Sequence, residues 1–193
     1  MTAAAMPAEV RQWRRSERER LIALRLQQES DQRAQWTDKI AAVLFPLLKD
    51  AKGPVSFYWP FKGEPDLRPL MRELAGAGVQ LALPVVVVKG QPMQFRPWVP
   101  RCKMVPGIWN IPVPDTAETV VPAILLAPVV GFDPRGFRLG YGGGYFDRTL
   151  AQLHGDRQVF GIGYDCVEIP TIHPQGHDIP MTMIVTQSGR VVN

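Results

Sequence analysis

The sequence predicts an α/β fold in which helices cover a mostly parallel β-sheet. Segments with strand composition alternate with segments of helical periodicity through most of the chain, as in layered α/β domains. Two apolar runs, Leu81–Val88 and Ile124–Val130, are nearly continuous, which is typical of parallel strands buried on both faces. A glycine-rich loop follows the second run. Because open α/β sheets bind ligands beyond the carboxyl ends of their strands, we expect the functional site at that loop.

Composition narrows the class of protein. The 193 residues fit one domain, residues 1–193, with 46% hydrophobic content and a net charge of +4. Mild basicity suits an anionic ligand such as a nucleotide, and it also suits RNA binding or solubility alone. Cys102 and Cys166 form neither a disulfide framework nor a metal pattern. The first residues lack a signal-peptide core, and the apolar runs are shorter than the roughly 20 residues that span a bilayer, so we expect a cytoplasmic protein with no membrane partner.

The chain begins with two predicted helices. Ala8–Gln28 is rich in Arg, Glu, Gln and Leu, which are good helix formers. Asp31–Leu48 places apolar residues at helical spacing, with Ser30 as its N-cap. Near the start of the first helix lie four arginines: Arg11, Arg14, Arg15 and Arg18. They form either a solvated, charged face or a clamp for phosphate.

The middle of the chain predicts strands around one short helix. In order we expect a strand, a helix, the first buried strand, an edge strand and a proline-rich loop: Val55–Trp59, Leu67–Ala75, Val79–Val88, Met93–Trp98 and 100–114. Asp66 is placed to cap the helix, and Pro84 ends the inner part of the buried strand. Glu64 lies in the loop after the first strand, where an acid is either solvated or part of a pocket.

The last third predicts the second buried strand, a helix, a further strand, a loop and a closing hairpin. These are Ala123–Pro128, Tyr145–Leu153, Val159–Tyr164, 169–178, and Met183–Thr186 with Arg190–Val192. His173 and His177 are four residues apart, a spacing that binds zinc on a helix. Prolines and a glycine in the same segment forbid a helix, so we expect no zinc site.

The glycine-rich loop carries the residue types of a metal–phosphate site. Gly140, Gly142, Gly143 and Gly144 allow left-handed backbone and close approach to a ligand. Successive amides in such a turn, ahead of a helix, can bind an anion. Arg138 precedes the loop with donors suited to phosphate, and Asp147 follows it with a carboxylate that could hold Mg²⁺. The pattern is neither a P-loop nor a dinucleotide fingerprint, and a flexible surface loop is the alternative.

The segment R-L-G-Y-G-G-G-Y-F-D-R, preceded by G-F-D-P-R-G, resembles the signature of the 5-formyltetrahydrofolate cyclo-ligase family. The resemblance implies a three-layer α/β/α sandwich, as in the phosphosugar-isomerase and CoA-transferase superfamily. It also implies ATP- and Mg²⁺-dependent conversion of 5-formyltetrahydrofolate to 5,10-methenyltetrahydrofolate. In that reaction the formyl oxygen is phosphorylated to an imidate phosphate, and ADP and phosphate are released.

The same resemblance assigns residues to ATP. In the family an N-terminal Lys and an Arg four residues later contact the nucleotide, and the best match is Arg11 and Arg15, with a register on Arg14 or Arg18 left open. The loop residues implied to bind ATP are Arg138, Leu139, Gly140, Tyr141, Gly142, Gly143, Gly144, Tyr145 and Phe146.

Folate, metal and catalytic roles follow from the resemblance as well. Glu64 and Trp109 are implied to contact the folate, together with the loop residues Tyr141–Tyr145. Asp147 is implied to hold Mg²⁺, and Arg138 and Tyr145 are implied to be catalytic. The partners are therefore a reduced folate and ATP, bound by a monomer with no nucleic-acid partner.

Two departures from the family pattern keep other functions open. Arg11 stands where the family has Lys, and Thr182 stands where the family has a second acid after His177-Asp178. A paralogue with this loop could act on another nucleotide or sugar phosphate. The basic first helix could instead bind RNA, which would weaken steeply with added salt.

Overall fold

The computed structural model describes residues 6–192; residues 1–5, where the segment without a signal-peptide core begins, and residue 193 lie outside that range. The α-helices are α1 Ala8–Gln27, α2 Ser30–Leu48, α3 Arg68–Gly76 and α4 Tyr145–Gln152. The strands are β1 Val55–Ser56, β2 Leu81–Val85, β3 Gln94–Trp98, β4 Met104–Pro106, β5 Pro112–Pro114, β6 Ile124–Pro128, β7 Gly131–Phe132, β8 Arg138–Leu139, β9 Gln158–Ile162, β10 Met183–Thr186 and β11 Gly189–Val192. No helix within residues 6–192 is long and apolar enough to cross a membrane.

The main sheet is mostly parallel. Its strands lie in the order β11–β10–β9–β6–β1–β2–β3. The five inner strands run parallel, whereas β3 and β11 pair antiparallel at the two edges. Two small hairpins, β4–β5 and β7–β8, lie outside this sheet. The predicted α/β class with a mostly parallel sheet is confirmed.

Helices cover both faces of the sheet because successive strand residues point to opposite sides. In β2, Leu81 and Leu83 join a core that contains Ile40 and the buried sides of α2 and α3. Between them, Ala82 joins the opposite core, which contains Leu21 of α1 and the partly buried apolar side of α4. The continuous apolar runs in the sequence are explained by this burial on two faces.

The connections create a switch point between β1 and β6. From β1 the chain passes to β2 on one side, and from β6 it passes to β9 on the other. In such sheets the crevice outside the carboxyl ends of these two strands is where ligands bind. The loop after β1 carries Glu64, and the chain after β6 leads to the glycine loop.

Two local predictions were wrong, and one hairpin was missed. The proline-rich segment 100–114 contains the β4–β5 hairpin, because its prolines stand in a two-stranded ladder that leaves one side of each strand unpaired. Helix α2 begins at Ser30 itself, and the preceding Glu29 makes no side-chain cap. The β7–β8 hairpin was not predicted. The fully buried Asp133 fixes it by accepting hydrogen bonds from the amides of Arg135 and Phe137.

Candidate active site

The glycine loop, residues 140–144, joins β8 to α4. Gly142 and Gly144 have φ of 93° and 64°, a region that favours glycine. A side chain at Gly142 would also stand 3.3 Å from the guanidinium carbon of Arg18. The loop ends where α4 begins at Tyr145, so the free amides of the first helical turn point toward the loop. This backbone is suited to binding an anion.

Arg138 and Asp147 form a pair beneath this loop. An Nη of Arg138 donates to Oδ2 of Asp147 at 3.2 Å, and the guanidinium stacks on Phe146 at 4.8 Å. Arg138 is buried, which lowers the pKa of its guanidinium, and its Nε has no hydrogen-bond partner within residues 6–192. A buried donor without a partner is unfavourable, so this side chain retains capacity to bind a ligand.

The structure does not bring Arg11 and Arg15 to the loop. Arg11 is exposed, and the Arg15 side chain is 76% exposed in a surface ion pair. Arg14 and Arg18 line the cleft instead, and Nε of Arg18 donates to the carbonyl of Gly140 at 2.7 Å. The α1 arginines that line the cleft are therefore those of the other register that the sequence left open, and Arg18 is the one that contacts the glycine loop.

Arg14 ties α1 to the segment 169–178. Its guanidinium makes a buried ion pair with Asp178 at 2.5 Å and donates to the carbonyls of Ile172 and His173. Burial acts against ionisation of Asp178, but the hydrogen bonds from Arg14 and the Gln175 amide hold the pKa of this carboxyl below its usual value. The charge of Arg14 is therefore already balanced by Asp178, whereas Arg18 has no acidic partner at hydrogen-bond distance within residues 6–192.

Thr182, which stands where the resemblance implies an acid, lies outside the cleft lining. Its hydroxyl accepts a hydrogen bond from the amide of Val159 at 3.0 Å, and its own amide donates to the carbonyl of Val159. The residue therefore joins two strand ends. Asp178, the acid that precedes it in the same segment, does line the cleft.

Glu64 is buried beside the glycine loop. Oε1 accepts a hydrogen bond from the hydroxyl of Tyr141 at 2.9 Å, and Oε2 accepts one from the amide of Phe61 at 2.8 Å. Burial raises the pKa of Glu64 to about 7, although Arg25 and the Tyr141 hydroxyl lower it. The same hydroxyl accepts a hydrogen bond from the buried Arg25 at 2.9 Å. Because Tyr141 belongs to the glycine loop, this contact places the carboxyl next to the predicted phosphate site.

These groups surround a cavity of about 540 Å³. Its walls include Glu64, Trp109, Arg138, Asp147 and the glycine loop. Trp109 is 59% exposed at the rim, with its ring edge-on to Tyr145 at 5.5 Å. The volume is in the range of small-molecule and cofactor sites. The other predicted site residues, Leu139 and Phe146 included, also line this cavity, whereas Arg11 and Arg15 do not.

Comparison with known proteins identifies the family. The model of the 5-formyltetrahydrofolate cyclo-ligase family matches residues 10–187. The chain belongs to this family. The 5-formyltetrahydrofolate cyclo-ligase of Escherichia coli K12 is 33% identical over 141 residues, which are 69% of this chain and 78% of that protein. The Mycolicibacterium smegmatis cyclo-ligase is 30% identical over 153 residues, covering 75% and 79%.

Solved structures agree with the family assignment. The Aquifex aeolicus 5,10-methenyltetrahydrofolate synthetase superposes with a TM-score of 0.80 and 28% identity, covering 93% of this chain and 92% of that one. The Mycoplasma pneumoniae synthetase shares the fold, with a TM-score of 0.74 at 20% identity over 90% and 98% of the two chains. This cyclo-ligase is therefore an enzyme, a ligase of folate metabolism.

Proposed function

We propose that this cyclo-ligase cyclises 5-formyltetrahydrofolate to 5,10-methenyltetrahydrofolate, with consumption of ATP and with Mg²⁺ as a cofactor. The formyl oxygen attacks the γ-phosphorus, and the bond to the bridging oxygen breaks to release ADP. The resulting imidate phosphate has a good leaving group. N10 then attacks the formyl carbon, phosphate leaves, and N10 loses its proton. The protein works here as a single-domain monomer in the cytoplasm, with reduced folate and ATP as its partners.

The ATP half of the site is assigned to the glycine loop and the cations around it. The amides of residues 140–144 and the unpartnered donor of Arg138 suit a phosphate, and Arg18 approaches from α1. Leu139 and Phe146 pack around this segment. Positioning and charge neutralisation are the main requirements of phosphoryl transfer, so no nucleophilic side chain is needed.

Asp147 fits a Mg²⁺ ligand at the cleft. Within residues 6–192 no three acidic, His or Cys side chains cluster as a complete metal cage. Mg²⁺ does not require one, because it is commonly held by one or two carboxylates, substrate phosphates and water. Bound there, the ion would neutralise charge on the phosphate oxygens.

The folate half is assigned to Glu64, Trp109 and Tyr145. The Glu64 carboxylate is an acceptor that suits the N–H groups of a pterin ring, and its near-neutral pKa leaves it ionised in mildly basic solution. Trp109 and Tyr145 offer aromatic surface at the rim. Tyr145 also fixes the mouth of the cleft, since its hydroxyl accepts a hydrogen bond from the amide of Gly90.

The observation that carries this proposal is the 2.9 Å hydrogen bond between Tyr141 and Glu64. It puts the predicted anion loop and the predicted folate carboxylate in one cavity, as transfer between two ligands requires. The test is the appearance of the methenyl product by absorbance, with and without ATP and Mg²⁺. Product that forms only with both supports the proposal. No product, with turnover of another phosphorylated substrate or salt-sensitive RNA binding instead, would support one of the alternatives.

A further inference from the structure

Arg25 is the largest fully buried side chain of the described residues, and no role for it follows from the sequence. Its Nε donates to the carbonyl of Lys62 at 3.0 Å, one Nη to the carbonyl of Val129 at 3.1 Å and the other Nη to the Tyr141 hydroxyl at 2.9 Å. One guanidinium on α1 therefore joins the loop after β1, the end of β6 and the glycine loop.

The chemistry of the donor fixes the direction of the next hydrogen bond. A guanidinium can only donate, so the Tyr141 oxygen must accept from Arg25. The single hydroxyl hydrogen is then free to point at Oε1 of Glu64, 2.9 Å away. Burial raises the pKa of Tyr141, which keeps this hydrogen in place at neutral pH. The result is a directed chain from Arg25 through Tyr141 to Glu64.

We propose that Arg25 is a positioning residue for the folate: it orients Tyr141 and, through it, holds Glu64 ready to accept hydrogen bonds from the substrate. This inference rests on the proposed function. Arg25 forms no ion pair within residues 6–192. Its charge is therefore stabilised by the carbonyls of Lys62 and Val129 and by the hydrogen bonds that lead through Tyr141 to Glu64. An arginine serves this role because its planar fork reaches three acceptors on separate segments, which a lysine ammonium on one stem cannot.

The hydrogen bonds from Arg25 through Tyr141 to Glu64 can be tested through the ionisation of Glu64. The titratable groups that face it are Arg25 from α1, Tyr141 from the glycine loop and Tyr58 from the chain just after β1. Of these, Arg25 and Tyr141 favour the carboxylate. Removing either should raise the pH at which Glu64 ionises, and kcat/KM for the folate should then rise with pH later than in the wild type.

The experiment compares Arg25→Met, Arg25→Lys and Tyr141→Phe with Arg20→Met, a change at an exposed arginine of the same helix. We expect the acidic limb of the kcat/KM profile to move up by about one pH unit in Arg25→Met and in Tyr141→Phe, and the double variant to move by less than the sum of the two shifts, because Arg25 also acts on Glu64 directly through its charge. Arg25→Lys should restore part of this shift while KM for the folate stays raised by about fivefold or more and KM for ATP changes little. Arg20→Met should match the wild type.

A loss of activity in Arg25→Met with an unmoved pH profile would mean that Arg25 only supports packing, and would overturn the inference. If Arg25→Met does not fold, an unchanged folate KM in Arg25→Lys overturns it. The shift in Glu64 ionisation can also be measured without turnover. The free energy of unfolding changes with pH over the range in which Glu64 ionises, and Glu64→Gln shows the pH dependence that remains without this carboxyl. A wild type that makes no methenyl product therefore defeats the proposed function while this range still tests Arg25.

Discussion

The Arg138 guanidinium lies 3.2 Å from the Asp147 carboxylate, with both side chains largely buried beneath the glycine loop. Asp147, the proposed metal ligand, is thus paired with Arg138, which is proposed to bind phosphate. A bound phosphate can take the place of Asp147 beside Arg138, and a bound Mg²⁺ can take the place of Arg138 beside Asp147. Ligand binding then leaves neither side chain unpaired. Both residues are therefore expected to act together.

Asp147→Asn should reduce turnover by about 10²-fold or more, because the metal loses its carboxylate and Arg138 loses its partner. The apparent affinity for Mg²⁺ should fall in parallel. Steady-state rates across a Mg²⁺ titration measure both effects. Asp156→Asn, an exposed acid after α4, serves as the control. Arg138→Ala should reduce turnover by a similar factor. Near-normal rates in either variant would contradict these assignments.

Gly142→Ala should impair ATP binding beyond its effect on folding. The backbone at Gly142 has φ of 93°, so alanine there costs about 1–2 kcal/mol, and its Cβ would press on Arg18. Gly155 is the matched control, because it has φ of 86° and no atom within 4 Å of the added Cβ. Both variants should lose similar stability in denaturant unfolding. Only Gly142→Ala should raise KM for ATP, and an equal effect of the two on ATP would contradict the anion role of the loop.

The register of the α1 arginines is tested by three single changes. Arg18→Gln should raise KM for ATP by about tenfold, because Arg18 contacts the carbonyl of Gly140 at the cleft. Arg15→Gln should have little effect if the register of the structure is the functional one, since that side chain is 76% exposed. Arg20→Gln controls for lost helix charge. A large effect of Arg15 with none of Arg18 would restore the register first matched to the family.

Glu64→Gln should change how stability depends on pH. Burial raises the pKa of Glu64 from 4.5 to about 7, so the native state binds this proton more tightly than the unfolded state does. The resulting stabilisation is complete below about pH 4.5 and is lost as the pH rises through about 7. The glutamine variant lacks this loss. Its stability relative to the wild type should therefore increase by about 3 kcal/mol between these limits.

Urea unfolding at several pH values measures this difference, and folate binding supplies an independent readout. The glutamine variant should lose folate affinity although it gains relative stability at high pH, because a neutral amide is a poorer acceptor than a carboxylate. The control is the same change at an exposed glutamate, Glu168→Gln. A pH-independent difference between Glu64→Gln and the wild type would show that Glu64 ionises normally.

Much of the fold was predictable because its signals are local. The alternating helical and strand patterns placed helices α1 to α4 within about two residues, and the apolar runs marked β2 and β6 as buried strands. The β7–β8 hairpin was missed because its two strands are only two residues long; Asp133 holds its turn locally and accepts one further bond from the amide of Ile172, far along the chain. The sequence predicts where β1 and β6 lie along the chain. It does not predict that they are neighbours, because that depends on the order of strands in the sheet.

Site residues could be predicted from the sequence only where several of them lie close together in one segment. The glycine loop with Arg138 and Asp147 is such a segment, whereas the arginines of α1 are not. The side of α1 that packs against the protein has residues at spacings of four, three and four: Arg14, Leu21 and Arg25, which are buried, and Arg18, which is half-buried. That spacing is a sequence signal for buried arginines, but the abundance of exposed charge on the same helix hides it. Arg25 was therefore assigned no role.

The most direct test of the central claim follows the oxygen of the formyl group. If ATP phosphorylates that oxygen, the released phosphate must carry it. We expect 5-formyltetrahydrofolate labelled with ¹⁸O in the formyl group to yield one ¹⁸O atom per molecule of inorganic phosphate, detected by mass spectrometry. Phosphate that remains unlabelled, with the label recovered in water, would contradict transfer of the phosphoryl group to the folate.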